Sequence, residues 1–127
     1  MILARRTIIG AAALLPFLKG TAFAMEEIDE TRLYGVIGQM KATPGQRDAL
    51  IGYLTTGSQD MQGNLAYLIA KDNGDADALW ITEIWSSAEA HKASLKLPQV
   101  QAAIAKARPI IAGFGTRAEV TPVGGKH

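Results

Sequence analysis

Cysteine is absent from this chain of 127 residues, and its absence excludes several kinds of chemistry at once. Disulfide bonds, zinc–thiolate sites, iron–sulfur clusters and thiol nucleophiles all require that side chain. Histidine is almost as scarce, because the chain has only His91 and His127. A metal site built from several histidines of one chain is therefore not expected.

The chain also lacks an excess of charge of one sign, because its 13 lysines and arginines are nearly balanced by 12 aspartates and glutamates. The basic residues are scattered, so the sequence has no stripe of the kind that contacts nucleic acid. Hydrophobic residues make up 48% of the chain, which is enough to bury a core and argues against general disorder. The length then predicts one small domain.

The first 24 residues are predicted to be a signal peptide. Arg5 and Arg6 precede an apolar run from Ile8 to Leu18, and the segment ends in the small-x-small pattern Ala22-Phe23-Ala24. The run is too short for a comfortable membrane span and has the features of a secretory signal. The two arginines with the residues after them resemble a twin-arginine (Tat) export signal. An ordinary secretory signal that happens to contain two arginines is the alternative.

Cleavage after residue 24 would remove three basic residues and no acidic one, changing the formal net charge from +1 to −2. We therefore expect a periplasmic or secreted protein that makes no contact with the membrane after cleavage. Met25 directly follows the proposed cleavage site. Initiation at Met25 would instead give a cytoplasmic form, and the sequence leaves both possibilities open.

The rest of the chain alternates between strand and helix patterns. A polar lead-in covers residues 25–32, a domain covers 33–124, and residues 125–127 form a tail. Apolar runs predict strands over 33–42, 64–70, 78–85 and 115–123. Helices are predicted between the first two strands and, in two parts, between the last two. This β-α-β-β-α-β order predicts an α+β ferredoxin-like fold, an antiparallel sheet with its helices on one face.

Capping residues predict the helix boundaries. The segment TPGQ at 43–46 predicts the start of the first helix by a capping box, with its proline at the first helical position, and Gly57 predicts its end. Ser86 followed by Glu89 predicts a second capping box. Leu97-Pro98 predicts a break, after which the proline opens a further helix.

The second and third predicted strands are apolar on both faces, whereas a sheet covered on one side only should alternate apolar and polar residues. Leu65, Tyr67 and Ile69 alternate with Ala66, Leu68 and Ala70, and Leu79, Ile81 and Trp85 alternate with Trp80 and Ile84. The helices of one chain can cover only one face. A second copy of the sheet would cover the other, which predicts an obligate homodimer through sheet-on-sheet packing.

Three stretches resemble the antibiotic biosynthesis monooxygenase domain family. They are TPGQRDAL after the first strand, ITEIWSSAEAHKASLKLP across the third strand and the following helix, and FGTRAEVTPVGG near the end. The most specific element is the pattern E-x-W-x-(S/D)-x-E-A, which runs from Glu83 to Ala90. This pattern marks the dimeric α/β-barrel superfamily better than any one activity.

The resemblance implies a dimer whose two sheets form a barrel, with an apolar cavity between sheet and helices in each subunit. Family members oxidise electron-rich aromatics such as anthrones and quinols with molecular oxygen, without metal or flavin, so no cofactor is expected. Relatives with this fold degrade haem, isomerise small sugars or have no known activity. Quinol-oxidising members commonly carry histidines at the positions of Ser94 and Gln99, and this chain departs from them there.

Two residues are candidates for catalysis. Oxygenation without a cofactor requires one base and an apolar pocket that excludes water. His91 suits the base, because the ordinary pKa of imidazole is about 6.5. Glu83 shares a strand face with apolar side chains and therefore needs a partner, for which Arg117 and Arg108 are candidates. A structural histidine and a structural ion pair at the dimer interface are the alternatives.

Four further residues, Trp85, Trp80, Tyr67 and Asn64, are candidates for substrate binding. Large aromatic side chains serve equally well in a core or an interface, and asparagine is common in turns. The sequence thus predicts a cofactor-independent monooxygenase acting on a small quinol- or anthrone-like aromatic. A haem-binding or haem-degrading relative, with His91 as axial ligand, and a non-enzymatic binder of small apolar ligands are the alternatives.

Overall fold

A computed structural model describes residues 29–126 of the chain. The predicted signal peptide, Met25 and His127 lie outside these residues. Within them, a short 3-10 turn at Glu30–Arg32 precedes four strands and three helices. The strands are β1 (Tyr34–Ala42), β2 (Asn64–Lys71), β3 (Ala78–Trp85) and β4 (Ile111–Val120). The helices are α1 (Arg47–Gly57), α2 (Ala88–Ser94) and α3 (Pro98–Ala107), and a 3-10 turn at Arg108–Ile110 joins α3 to β4.

The four strands form one antiparallel sheet in the order β2-β3-β1-β4. With α1 following β1 and with α2 and α3 following β3, this is the ferredoxin-like α+β arrangement that the sequence predicts. The bounds of β1, β2 and β3 agree with the predicted ones to within one residue. β4 begins four residues earlier and ends three residues earlier than predicted.

The position of β4 has two physical causes. Pro109 ends the helical segment in a single 3-10 turn, after which Ile111 pairs at once with Ala42 of β1. Pro122 has no N–H to donate to a neighbouring strand, which disfavours continuation of β4 that far. Gly115 lies at a bulge opposite β1, where the Gln39 side chain occupies the space that a Cβ would need.

Two predicted helix starts are wrong in detail. The segment 43–46 forms a turn closed by a 3.0 Å hydrogen bond from the Gln46 N–H to the Thr43 carbonyl, and α1 begins only after it. Gly45 has a φ of +79°, as the third residue of a type II turn after proline requires. The cap of α2 is Ser87 rather than Ser86, because the Ser87 hydroxyl accepts from the Ala90 N–H at 3.0 Å. The predicted end at Gly57 and the break before Pro98 are confirmed.

The helices pack on one face of the sheet. Leu50 of α1 and Leu79 of β3 are fully buried between the two layers. Each contributes about 1.5–3 kcal/mol by leaving water. The α1 and α3 helices touch at Gly57, where the Ala103 side chain occupies the position that a Cβ would take. This close approach joins the two helices into one wall above the sheet.

The other face of the sheet carries none of the helices described within residues 29–126 and is rich in apolar side chains. Ile37 of β1 and Leu68 of β2 both pair with Thr82 of β3, so their side chains point to this face. Leu68 is 62% exposed and Ile37 is 37% exposed. The prediction that β2 and β3 are apolar on both faces is therefore confirmed. Among the described helices, none is long and apolar enough to cross a membrane.

Candidate active site

A cavity of about 570 Å³ lies between the helices and the sheet. Its size suits a ligand of two or three aromatic rings, since small-molecule pockets commonly measure about 300–1,000 Å³. The lining is mostly apolar and comes from both layers. It includes Met40, Leu54, Met61, Val100, Ile104, Ile111 and Phe114. Four of the residues singled out from the sequence, namely His91, Glu83, Trp85 and Tyr67, also line it.

The alternation of β3 places Glu83 and Trp85 side by side on the helix-covered face. Trp85 is fully buried, and its indole Nε1 donates a hydrogen bond of 2.9 Å to Glu83 Oε1. The same carboxylate oxygen lies 3.9 Å from His91 Nε2. The side chains of His91 and Glu83 are only 17% and 16% exposed, so solvent screens this pair weakly. Glu83 Oε1 therefore lies between Trp85 of β3 and His91 of α2.

The histidine is held by the first turns of α2. Ser87 caps the helix, and the His91 N–H donates to the Ser87 carbonyl at 3.3 Å. The buried Ser94 hydroxyl donates to the His91 carbonyl at 2.6 Å. Gly63 has a φ of +84°, and a Cβ there would lie 2.6 Å from the Ala90 side chain, so glycine lets α2 approach the sheet. The imidazole therefore projects from a short helix that is fixed at several points.

Aromatic rings lie on two sides of the imidazole. The Trp85 and His91 ring centroids are 5.4 Å apart in a T-shaped arrangement, with an interplanar angle of 69°. The Tyr34 ring, also 5.4 Å away, is tilted by 37°. Tyr34 begins β1 directly opposite Trp85, and its hydroxyl donates to Glu119 Oε2 at 2.7 Å. That hydrogen bond, with smaller help from Arg117, lowers the pKa of Glu119.

Tyr67 of β2 lies beside Glu83 in the sheet register. Burial, and to a smaller extent the negative charge of Glu83, raises the pKa of the Tyr67 hydroxyl. The phenol therefore stays protonated at neutral pH. It is a hydrogen-bond donor in an otherwise apolar part of the cavity wall, and a donor of this kind can stabilise an oxyanion.

The other two residues predicted to bind substrate lie elsewhere. Trp80 points to the uncovered face of the sheet, and its Nε1 donates to Asp72 Oδ2 at 2.9 Å. The Asn64 amide donates to the backbone carbonyls of Ala66 and Ile84 at 3.0 and 3.3 Å, spanning an irregularity in β2. Neither residue is among those that line the cavity. Substrate contacts by Trp80 and Asn64 stay predictions.

Neither of the expected arginine partners forms an ion pair with Glu83. Arg117 lies with its Nη1 3.6 Å from Glu119 Oε2, on the last strand. Arg108 lines the cavity at the end of α3 without an ion pair to Glu83. The partner of Glu83 is instead the Trp85 indole, with the His91 imidazole next to it. Within residues 29–126, no group of three or more acidic or histidine side chains could hold a metal ion.

Sequence reasoning did not predict that Tyr34 and Phe114 belong to the site, and it named Arg108 only as a partner for Glu83 and Ser94 only as a departure from the quinol-oxidising pattern. Tyr34 could have been noticed as an aromatic at the start of a strand, but its place beside His91 depends on the strand register. Ser94, Arg108 and Phe114 line the cavity through packing of α2, α3 and β4, which no local pattern reveals. Gln99, the other position where the chain departs from the quinol-oxidising pattern, lies outside this cavity and donates to the Gln59 carbonyl at 3.1 Å.

The geometry supplies what proton abstraction from a flat apolar molecule needs. A candidate base, His91, lies at the wall of a cavity large enough for the molecule, with Glu83 placed to stabilise the imidazolium that would form. The cavity wall around this pair is mostly apolar.

Comparison with known proteins places this geometry in a family. The family model for antibiotic biosynthesis monooxygenase matches residues 33–106, more than half of the chain. Two solved structures, each described as a “putative antibiotic biosynthesis monooxygenase”, are similar to the chain. The protein from Chloroflexus aurantiacus J-10-fl is 57% identical with a TM-score of 0.73, and the match covers 75% of this chain and 97% of that one. The protein from Bacteroides thetaiotaomicron is 14% identical with a TM-score of 0.69, and the match covers 78% and 99%.

A third similar structure comes from the same Bacteroides species and is described as a conserved protein of unknown function and a possible oxidoreductase. It is 17% identical with a TM-score of 0.61, covering 70% of this chain and 96% of that one. A search of curated proteins finds no match. Given the family match and the 57% identity to the Chloroflexus protein, the chain belongs to the antibiotic biosynthesis monooxygenase family.

Proposed function

We propose that the protein is a cofactor-independent monooxygenase that oxidises an electron-rich aromatic, of the quinol or anthrone type, with molecular oxygen. The observation that carries the proposal is the Glu83–His91 pair, with 3.9 Å between Oε1 and Nε2, at the wall of an apolar cavity of about 570 Å³. Membership of the monooxygenase family supports the reaction class. The substrate type and the independence from cofactors are our inference.

The reaction begins with proton transfer. His91 removes a proton from the acidic C–H or O–H of the substrate, and the resulting imidazolium is stabilised by the Glu83 carboxylate. Trp85 fixes Glu83 through its indole N–H. The protonated Tyr67 hydroxyl donates to the oxygen on which the negative charge develops. Each role uses a residue of the cavity wall.

The substrate anion then supplies the electrons. One electron passes to molecular oxygen, giving a substrate radical and superoxide, which combine to form a C–O bond. His91 returns its proton to the peroxide, and loss of water leaves a carbonyl group. For an anthrone the balance is one CH₂ group and one O₂ giving one C=O group and one water molecule. The substrate is the reductant, so the scheme needs no further electron donor.

Oxygen-electrode assays over a panel of anthrones and hydroquinones test the proposal. We expect uptake faster than the protein-free control with at least one compound. With ¹⁸O₂, one labelled atom should appear in the product carbonyl. Uptake equal to the control across the panel would contradict the proposal and favour a protein that only binds small apolar ligands.

A homodimer is part of the same proposal. The uncovered face of the sheet presents Leu68 and Ile37 to solvent, next to the partly buried Trp80 and Ile84. Exposed apolar surface of this kind is normally covered by a partner, and a second copy of the same sheet would bring an equally apolar surface. Light scattering of the purified protein should give the mass of two subunits at micromolar concentration.

Export is proposed from the sequence alone. The arginine pair, apolar run and Ala-Phe-Ala ending of residues 1–24 support a signal peptide that directs the protein to the periplasm or the medium. N-terminal sequencing of protein from the periplasmic fraction should begin at Met25. Recovery of the chain only from the cytoplasm would contradict export.

A further inference from the structure

The cavity has an uneven distribution of charge. Its wall contains one carboxylate, Glu83, and one permanent cation, Arg108, while the remaining described wall is apolar apart from serines, His91 and Tyr67. Arginine stays charged at every physiological pH and has a planar group that binds carboxylates through two hydrogen bonds. Arg108 lines the cavity and is also exposed to solvent, so an anionic ligand can reach its guanidinium. Arg108 therefore has the chemistry of a recognition group.

The other arginines of the described chain all have internal partners. Arg32 contacts Glu89 at 3.0 Å, and Arg117 contacts Glu119 at 3.6 Å. Arg47 donates to three backbone carbonyls of the turn between β2 and β3. Between residues 29 and 126, Arg108 alone among the arginines has no carboxylate within ion-pair distance and donates no side-chain hydrogen bond to the protein.

The sheet register separates Arg108 from the proposed base. On β1, Val36 pairs with Glu83, whereas Ala42 pairs with Ile111 at the start of β4, three residues after Arg108. Six residues of strand extend about 20 Å. Phe114, which is 73% exposed and also lines the cavity, pairs with Met40 between these two levels. Glu83, beside the proposed base, and Arg108 are therefore anchored at well-separated levels of the sheet, and both Arg108 and Phe114 are exposed to solvent.

We propose that Arg108 selects substrates that carry a carboxylate on the end of the aromatic system remote from the atom that loses its proton. This inference rests on the proposed function, because it assumes that the base end is where chemistry occurs. It defines the substrate class as an elongated fused aromatic, two or three rings long, with a phenol or acidic CH₂ at one end and a carboxylate at the other. Phe114 would cover the flat face of the ring next to the carboxylate.

Calorimetric titration with stable naphthalene probes tests the proposal without any turnover. The probes are 6-hydroxy-2-naphthoate, which carries its two groups at opposite ends, 3-hydroxy-2-naphthoate, which carries them side by side, and neutral 2-naphthol. We expect the wild-type protein to bind 6-hydroxy-2-naphthoate at least about tenfold more tightly than either other probe, since only this probe can pair its carboxylate with Arg108 while its hydroxyl lies next to His91.

Variants locate the source of the preference. Arg108→Gln should reduce this preference to within about twofold, chiefly by weakening the binding of 6-hydroxy-2-naphthoate rather than that of 2-naphthol. Arg108→Lys should restore part of the preference. Arg117→Gln is the control, because it also removes one exposed arginine but one that does not line the cavity, and it should keep the full preference. The proposal would be overturned if the wild type showed no preference for 6-hydroxy-2-naphthoate, or if Arg108→Gln kept that preference. It would also be overturned if Arg117→Gln lost as much of the preference as Arg108→Gln. Binding is measured independently of oxygen uptake, so failure of the proposed reaction would be seen separately.

Discussion

Glu83 Oε1 accepts a 2.9 Å hydrogen bond from Trp85 Nε1 and lies 3.9 Å from His91 Nε2. The indole thereby fixes which way the carboxylate points, and the carboxylate faces the imidazole. Because Glu83 and Trp85 are two residues apart on one strand, they share a face whatever the rest of the fold does. The arrangement explains why the tryptophan and the glutamate occur together in the sequence.

The coupling between these two residues can be measured. Trp85→Phe keeps most of the buried ring but removes the donor, and we expect it to lower the free energy of unfolding by about 2–4 kcal/mol through lost packing and an unpaired carboxylate. Glu83→Ala removes the acceptor of the same hydrogen bond. In a double-mutant cycle read by urea unfolding, the two changes should couple by about 1–2 kcal/mol. Additive effects would show that the hydrogen bond contributes nothing to stability.

Tyr34 is expected to position the imidazole through its ring rather than its hydroxyl. Tyr34→Ala removes the ring 5.4 Å from His91 and should lower kcat about tenfold with a smaller change in KM. Tyr34→Phe keeps the ring, loses the bond to Glu119, and should retain most of the activity. The one-dimensional NMR signals of the imidazole should broaden or shift in the alanine variant alone. Equal losses in both variants would instead implicate the Tyr34–Glu119 hydrogen bond.

Asp72 should stabilise the fold only while it is ionised. Hydrogen bonds from the Trp80 indole, and next from the Gly74 N–H, hold the pKa of Asp72 below its usual range. A lowered folded-state pKa means that this stability is present above the unfolded pKa of about 3.9 and is lost as pH falls through the lower folded value. The urea midpoint of the wild type should therefore exceed that of Asp72→Asn at pH 6, and the gap should narrow as pH falls below 4. A gap independent of pH would contradict this.

The proposed dimer should depend on the uncovered sheet face. Leu68→Glu places a charge at a residue that is 62% exposed in one subunit and would be buried between two sheets, and we expect it to shift the protein to monomers in light scattering. Val123→Glu is the control, because Val123 is 82% exposed and lies beyond the last strand. A Leu68→Glu protein that kept the mass of two subunits would place the interface elsewhere.

The fold was predictable because strand and helix patterns are strong in this sequence. The apolar runs of β1, β2 and β3 gave their bounds nearly to the residue, and Leu97-Pro98 marked the division between α2 and α3. Helix starts were less predictable, because proline followed by glycine at 44–45 favours a type II turn as much as a first helical turn. Two adjacent serines at 86 and 87 offered equivalent caps, and only the geometry of the preceding strand decides between them.

The site could be predicted from the sequence only where the alternation of side chains along one strand determines their positions. Side chains alternate between the two faces of a strand, so Glu83 and Trp85 lie on the same face and Trp80 lies on the opposite one. This placement could be predicted from the sequence. The approach of Tyr34 to His91 depends on the pairing of β1 with β3, and the position of Arg108 depends on the packing of α3 over the sheet. These contacts join residues far apart in the chain, so no pattern within one segment could indicate them.

The central claim is that His91 is the base for oxygenation inside the apolar cavity. Its most direct test is the initial rate of oxygen uptake with the best substrate of the panel, in the presence of a metal chelator, for wild type, His91→Ala and Lys92→Ala. We expect His91→Ala to lose at least about 100-fold in kcat, as removal of a general base does, while the exposed neighbour Lys92 can be replaced without loss. Wild-type rates in His91→Ala, or rates abolished by the chelator, would contradict the account.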